Sequence, residues 1–184
     1  MKNLAKFGVV EKVESIATGG WENTKKGVYS ISNTFLNFYF KFIYTNISEL
    51  KYISPAEFYE KYISPEFDMY MEHYFTKVCA EYIELMNMLG QLPIKVKRIG
   101  TWVGKQGSID ILAQSEDRHR IVARCSWSKE LMTLDMLTSL IEATNKAKIK
   151  SDYYYLFSAH GFSQELLEGE KAQPKMRLID LNDF

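Results

Sequence analysis

Cysteine and histidine are scarce in this chain, and their spacing excludes several chemistries. The two cysteines of the 184 residues, Cys79 and Cys125, lie far apart in sequence. They form neither a Cys-x-x-Cys metal knuckle nor a dense disulfide framework. Each sits in an apolar stretch and reads as a reduced core thiol of a cytoplasmic protein. The three histidines, His73, His119 and His160, share no ligand spacing, which gives no support to a zinc site or a Ser/His/Asp triad. Charge of one sign is also lacking. Lys plus Arg total 23, as do Asp plus Glu, so nucleic acid would have to be met by a local basic face. No G-x-x-x-x-G-K-S/T loop occurs, so the chain is not expected to hydrolyse ATP. The run "FLNFYFKFIY" is too short to cross a bilayer and contains Lys41. The opening "MKNLAKFGVVEKVES" lacks the apolar core of a secretory signal. The chain therefore reads as soluble and cytosolic, without a membrane partner.

Aromatic residues are plentiful. With 12 Tyr, 11 Phe and 3 Trp, a sizeable core is within reach. Near the start, "LAKFGVVEKVESIA" reads as a short helix running into a strand, "GGWENTKKG" as a turn and "VYSIS" as a returning strand. "NTFLNFYFKFIY" follows as a helix capped by Asn33 or Thr34, apolar on nearly every side and so expected to be covered by other elements. Two Ser-Pro breaks, Ser54-Pro55 and Ser64-Pro65, come next, and a boundary is placed near Ser64.

Beyond Ser64, Phe67, Met71, Tyr74, Phe75, Val78, Tyr82, Leu85, Met86 and Leu89 recur at helical spacing, with Gly90 as C-cap. "IKVKRIGTWVG", "SIDILAQ" and "RHRIVARCSW" read as three strands. "LDMLTSLIEATNKAKI" is an amphipathic helix presenting Leu137, Leu140, Ile141 and Thr144 on one face. "DYYYLFSA" is a continuous apolar run suited to a buried parallel strand, "SQELLEG" a short helix and "KMRLIDLND" a last strand. Helix, three strands, helix, strand, helix, strand describes an α/β layered domain.

That order resembles the restriction-endonuclease-like fold of the PD-(D/E)XK nuclease superfamily. More narrowly, "VYSISNTFLNFYFKFIY", "YFTKVCAEYI", "RIGTWVGKQGSIDILAQ" and "ARCSW" followed by "LDML" resemble the C-terminal region of the archaeal-type ATPase family, which follows a P-loop ATPase domain and a winged helix. The likeness runs from about Leu4 to Phe184 and is strongest over Arg98–Trp127. It implies a mixed sheet flanked by helices over residues 65–184, preceded over residues 1–64 by a helical segment with a winged-helix remnant.

In such domains the resemblance implies an acid on the first helix, an Asp in a strand "EIDI", and an acid and a lysine in "ECKW". The helix acid falls on Thr76. The strand Asp is kept as Asp110, with Ser108 in place of the Glu. The third-strand acid falls on Arg124 and the lysine on Ser126, while Trp127 keeps the closing aromatic. These nucleases hold Mg²⁺ between carboxylates, and one aspartate beside a guanidinium is a poor site for a hard dication. Strand alternation puts Arg124 and Ser126 on the face approaching Asp110. An Arg124–Asp110 pair is expected there, pulling the Asp110 carboxyl below its ordinary pKa. Glu72, one turn before Thr76, and Lys129 or Lys146 are the residues that would supply displaced catalytic groups.

The expected role is therefore non-catalytic binding, with no metal and no cofactor. The partner would be DNA, an ATPase module or another subunit. Lys95, Lys97, Arg98 and Lys105 are the candidate DNA contacts, and the alternative for them is a solvated face. An active Mg²⁺-dependent DNA nuclease and a dimerisation or scaffold module are the competing readings, the latter motivated by the aromatic N-terminal helix.

Overall fold

The computed structural model describes residues 9–13, 28–104 and 107–184. The expected opening helix, the "GGWENTKKG" turn and Lys105 lie outside the described residues. The chain forms two compact units, which divide between Tyr70 and Met71.

In the first unit β1 (Val10–Val13) pairs antiparallel with β2 (Val28–Ile31). α1 (Thr34–Phe38) follows, started by the Asn33 side chain, which accepts the Leu36 N–H at 2.9 Å. The helix then widens into a π turn over Tyr39–Ile43. α2 (Pro55–Phe58) begins at Ser54, whose hydroxyl and backbone exchange hydrogen bonds with Glu57 in a capping box. Among the described residues the unit's core is small and consists of Phe42, Phe58 and Ile63, with Tyr70 packed edge-on and Phe38 tilted against Phe42. The expectation that the aromatic helix would be covered is met on one side, where Phe42 is buried, and not on the other. Phe35 is 71% exposed, and Phe40 and Tyr44 are also exposed, because the small core reaches one face of the helix alone.

The second Ser-Pro pair does not interrupt the backbone. A π turn over Tyr59–Ile63 runs directly into α3 (Ser64–Met88), with Ser64 itself helical. Proline lacks an N–H and its ring crowds the carbonyl four residues back. Widening the preceding turn lets the helix pass through Pro65 without that clash. α3 ends where Gly90 adopts φ +68° and the Gln91 N–H reaches back to the Met86 carbonyl.

The second unit is built on a five-stranded mixed sheet in the order β3 (Val96–Gly104), β4 (Gly107–Ser115), β5 (Arg120–Ser126), β6 (Tyr153–Ser158), β7 (Met176–Asp180). β3, β4 and β5 form an antiparallel meander. β5, β6 and β7 run parallel, joined through α4 (Leu134–Lys146) and α5 (Gln164–Ala172). α3 covers one face, where Phe75, Cys79 and Ile83 meet Ile111, Ala123, Cys125 and Phe157. α4 and α5 cover the other, where Leu137, Leu140 and Leu166 meet Leu112, Val122 and Leu156. The mixed α/β sheet flanked by helices is thus the architecture that the sequence pattern predicts. The face of α3 differs in detail. Val78, Leu85 and Leu89 are exposed, and Cys79 and Ile83 take the core positions.

Candidate functional site

The hairpin of β4 and β5 brings Asp110 and Arg124 together. Asp110 is the fourth residue of β4, and its strand lies beside the central strand β5. The register against β3 shifts on the β4 side between Ile109 and Leu112. Ile109 and Leu112 accordingly belong to one core cluster, whereas strict alternation would put them on opposite faces. This is a β-bulge, and Asp110 lies in it. Bulges re-aim side chains and end pairing. Pairing of β4 with β5 indeed stops at Ile111–Ala123. Beyond that point the Asp110 carboxylate takes over, with Oδ2 accepting the Cys125 N–H at 2.9 Å. Its other oxygen, Oδ1, lies 3.5 Å from Arg124 Nη1. A bulge and not a regular pleat thus delivers the carboxylate to β5, which strand alternation alone does not predict.

Electrostatics at Asp110 run against the sequence expectation. Burial pushes its carboxyl up, and this outweighs the Arg124 charge and the Cys125 N–H, which both pull it down. The side chain is 18% exposed, and the Arg124 contact is long for a charged hydrogen bond. The expected lowering is thus corrected to a raising, and desolvation is the cause.

The other positions of the motif surround Cys125. Burial pushes the Cys125 thiol well up; the neighbouring Cys79 thiol and the Asp110 charge act in the same direction, and the Thr76 hydroxyl opposes them. Both cysteines are free and buried, as the sequence suggests. Thr76 therefore does sit at the place where β5 meets α3. Ser126 is buried, with its hydroxyl accepting the Ser128 N–H at 3.2 Å. Glu72, the candidate replacement acid, accepts the Trp127 N–H at 2.8 Å. Lys146 is an exposed partner of Glu142 at 3.2 Å on α4. Among the described residues no three His, Cys, Asp or Glu side chains gather as a metal site would need. One carboxylate, already engaged by an N–H and a guanidinium, does not fit Mg²⁺, which prefers several oxygen ligands and its own waters. Sequence reasoning missed the role of the Cys125 N–H, because a backbone donor leaves no mark in a residue pattern.

The candidate basic face lies at the start of β3. Lys95 and Lys97 are exposed and Arg98 is half-buried. Lys97 pairs with Glu116 across the hairpin, and the Lys97 hydrogen bond and charge hold the Glu116 carboxyl below its usual range. The face is thus mixed in sign. No helix among the described residues is long and apolar enough to cross a membrane.

Comparison with known proteins places the chain among archaeal and bacterial sequences. It is 28% identical over 187 residues to Uncharacterized protein MJECL04 of Methanocaldococcus jannaschii, a match that takes in all of this chain and 40% of that relative's length. No solved structure matches. Residues 39–149, more than half of the chain, match the model of DUF234, and the chain therefore belongs to this family, described as archaea bacterial proteins of unknown function.

Proposed function

We propose that the chain is a non-catalytic, nuclease-like binding domain that works with an archaeal-type ATPase, contacting DNA, the ATPase module or a partner subunit. The observation that supports the non-catalytic reading is the engagement of Asp110. Its two oxygens face the Cys125 N–H and the Arg124 guanidinium, where a nuclease of the PD-(D/E)XK type would present a metal ligand. The chain spans 40% of the length of its curated relative, so that relative has more than half its length for other modules.

Two titrations test the reading. Mg²⁺ or Mn²⁺ added in a calorimeter should give no site that depends on Asp110. A stoichiometric site abolished by Asp110→Asn would instead revive the Mg²⁺-dependent nuclease. Duplex DNA should bind weakly at low salt, with affinity falling as salt rises through counterion release. Lys95→Ala, Lys97→Ala and Arg98→Ala together should flatten that dependence. If DNA does not bind at all, the contact is to protein.

A scaffold role is the second reading, and the exposed aromatics of the first unit favour it. Phe35, Phe40, Tyr44 and Tyr52 are all solvent-facing, an unusual concentration for a small unit. Sedimentation equilibrium showing a dimer that Phe40→Ser dissolves would support it.

A further inference from the structure

A cleft of about 390 Å³ opens on the α3 face of the sheet in the second unit. Its floor is Tyr155 and Arg177, directly paired in register across β6 and β7. Tyr82 and Met86 of α3, together with Leu92 and Pro174, also line it. The volume is in the range of small-molecule sites, and the cleft is open on one side, with polar and apolar side chains both lining it.

Two features of the floor offer donors to a ligand. Tyr155 is 5% exposed as a whole, lines the cleft, and has no hydrogen-bond partner for its hydroxyl among the described residues; that oxygen is not among the enclosed unpartnered atoms, so it opens to the cleft. A hydroxyl open to a cleft can donate to water or to a ligand that displaces it. Arg177 is exposed in the same cleft, and no carboxylate among the described residues pairs with it. Burial raises the phenols of both Tyr82 and Tyr155 while the Arg177 charge opposes that rise.

We propose that this cleft binds a small carboxylic acid with an apolar body, its carboxylate held by the Arg177 guanidinium and the Tyr82 and Tyr155 hydroxyls. Guanidinium and phenol both donate, and both match the in-plane lone pairs of a carboxylate. Charge decides against a phosphate monoester. Asp183 acts on Tyr82 as a nearby negative charge, so the single cation of Arg177 is already partly offset. A dianion would therefore meet more repulsion and less compensation here than a monoanion. Met86, Leu92 and Pro174 would cover the apolar body.

Phenylacetate and phenyl phosphate are matched probes. They would be titrated into the full chain while the amide resonances of Tyr155 and Arg177 are followed by NMR. Phenylacetate should bind saturably, with shifts confined to the cleft. Arg177→Gln, at an exposed position, should weaken it at least about tenfold, and Tyr155→Phe should weaken it while leaving the circular dichroism spectrum unchanged. The proposal is overturned if phenylacetate fails to saturate, if neither substitution weakens it, or if phenyl phosphate binds more tightly.

Discussion

At Asp110 two opposing influences meet, and their balance is measurable. Burial disfavours the carboxylate; Arg124 and the Cys125 N–H favour it, and burial wins. The folded protein therefore holds the Asp110 proton more tightly than the unfolded chain does. Stability from this group is greatest in acid and falls as pH rises from the ordinary aspartate range through the raised folded value, above which the cost is constant. Asp110→Asn keeps an oxygen for the Cys125 N–H and removes the titration. Urea midpoints of the two proteins across acidic pH should show the wild type losing stability relative to the variant as pH rises; parallel curves would contradict the raised carboxyl. Arg124→Ala removes the main charge opposing burial. It should cost about 1–2 kcal/mol near neutrality, a modest figure because the guanidinium is partly exposed and the contact long. That cost should shrink in acid, where Asp110 is neutral.

At the scale of elements, the two parallel crossovers leave β7 as a sheet edge, and carboxylates close it. The Leu178 N–H donates to Glu170 of α5 at 2.9 Å, and the Asp180 N–H donates to Asp183 at 2.8 Å. An edge strand with free donors is a template for pairing with another chain. Glu170→Ala should therefore cost about 1 kcal/mol, by losing one hydrogen bond to a charged group at a partly exposed site. It should also increase self-association in light scattering at high protein concentration, and a variant that stays monomeric would show that α5 shields the edge without the carboxylate. The elements themselves were legible in the sequence, because "DYYYLFSA" and "LDMLTSLIEATNKAKI" have the composition and period of a buried strand and an amphipathic helix. Details within them were not. α3 is apolar on several faces, so its period does not single out Cys79 and Ile83 over Val78 and Leu85. The bulge at Asp110 arises from pairing with β3, a non-local partner that no window on β4 contains. The Asp110–Arg124 juxtaposition was readable from the hairpin, but the sign of the carboxyl shift is set by burial, which no pattern within the hairpin shows. The Tyr155–Arg177 cleft carries no motif, since the sequence separates its two floor residues and only the parallel register unites them.

The whole molecule joins two units of unequal core. The second unit buries side chains on both faces of its sheet, including Ile111, Ala123 and Phe157 on one side and Leu112, Val122 and Leu156 on the other. Among the described residues of the first unit, the buried apolar side chains are Phe42, Phe58 and Ile63, while Tyr52 remains 82% exposed. Stabilisation by burial scales with the apolar area removed from water. Local opening should consequently cost far less in the first unit than in the sheet. Native-state hydrogen exchange would read this directly: amides of α1 and α2 should exchange at a free energy well below that of β4, β5 and β6. α3 supplies an internal comparison, because it begins in the first unit and continues in the second. Protection along it should rise from the residues before Tyr70 to those around Cys79 and Ile83. Uniform protection across both units would mean that they unfold as one body, and the small core would then not govern the first unit's stability. Protection of α1 that rises with protein concentration would point to the exposed Phe35, Phe40 and Tyr44 surface being covered by a second copy. The same experiment thus separates an independently labile unit from a surface that association stabilises, because concentration changes the second and leaves the first untouched.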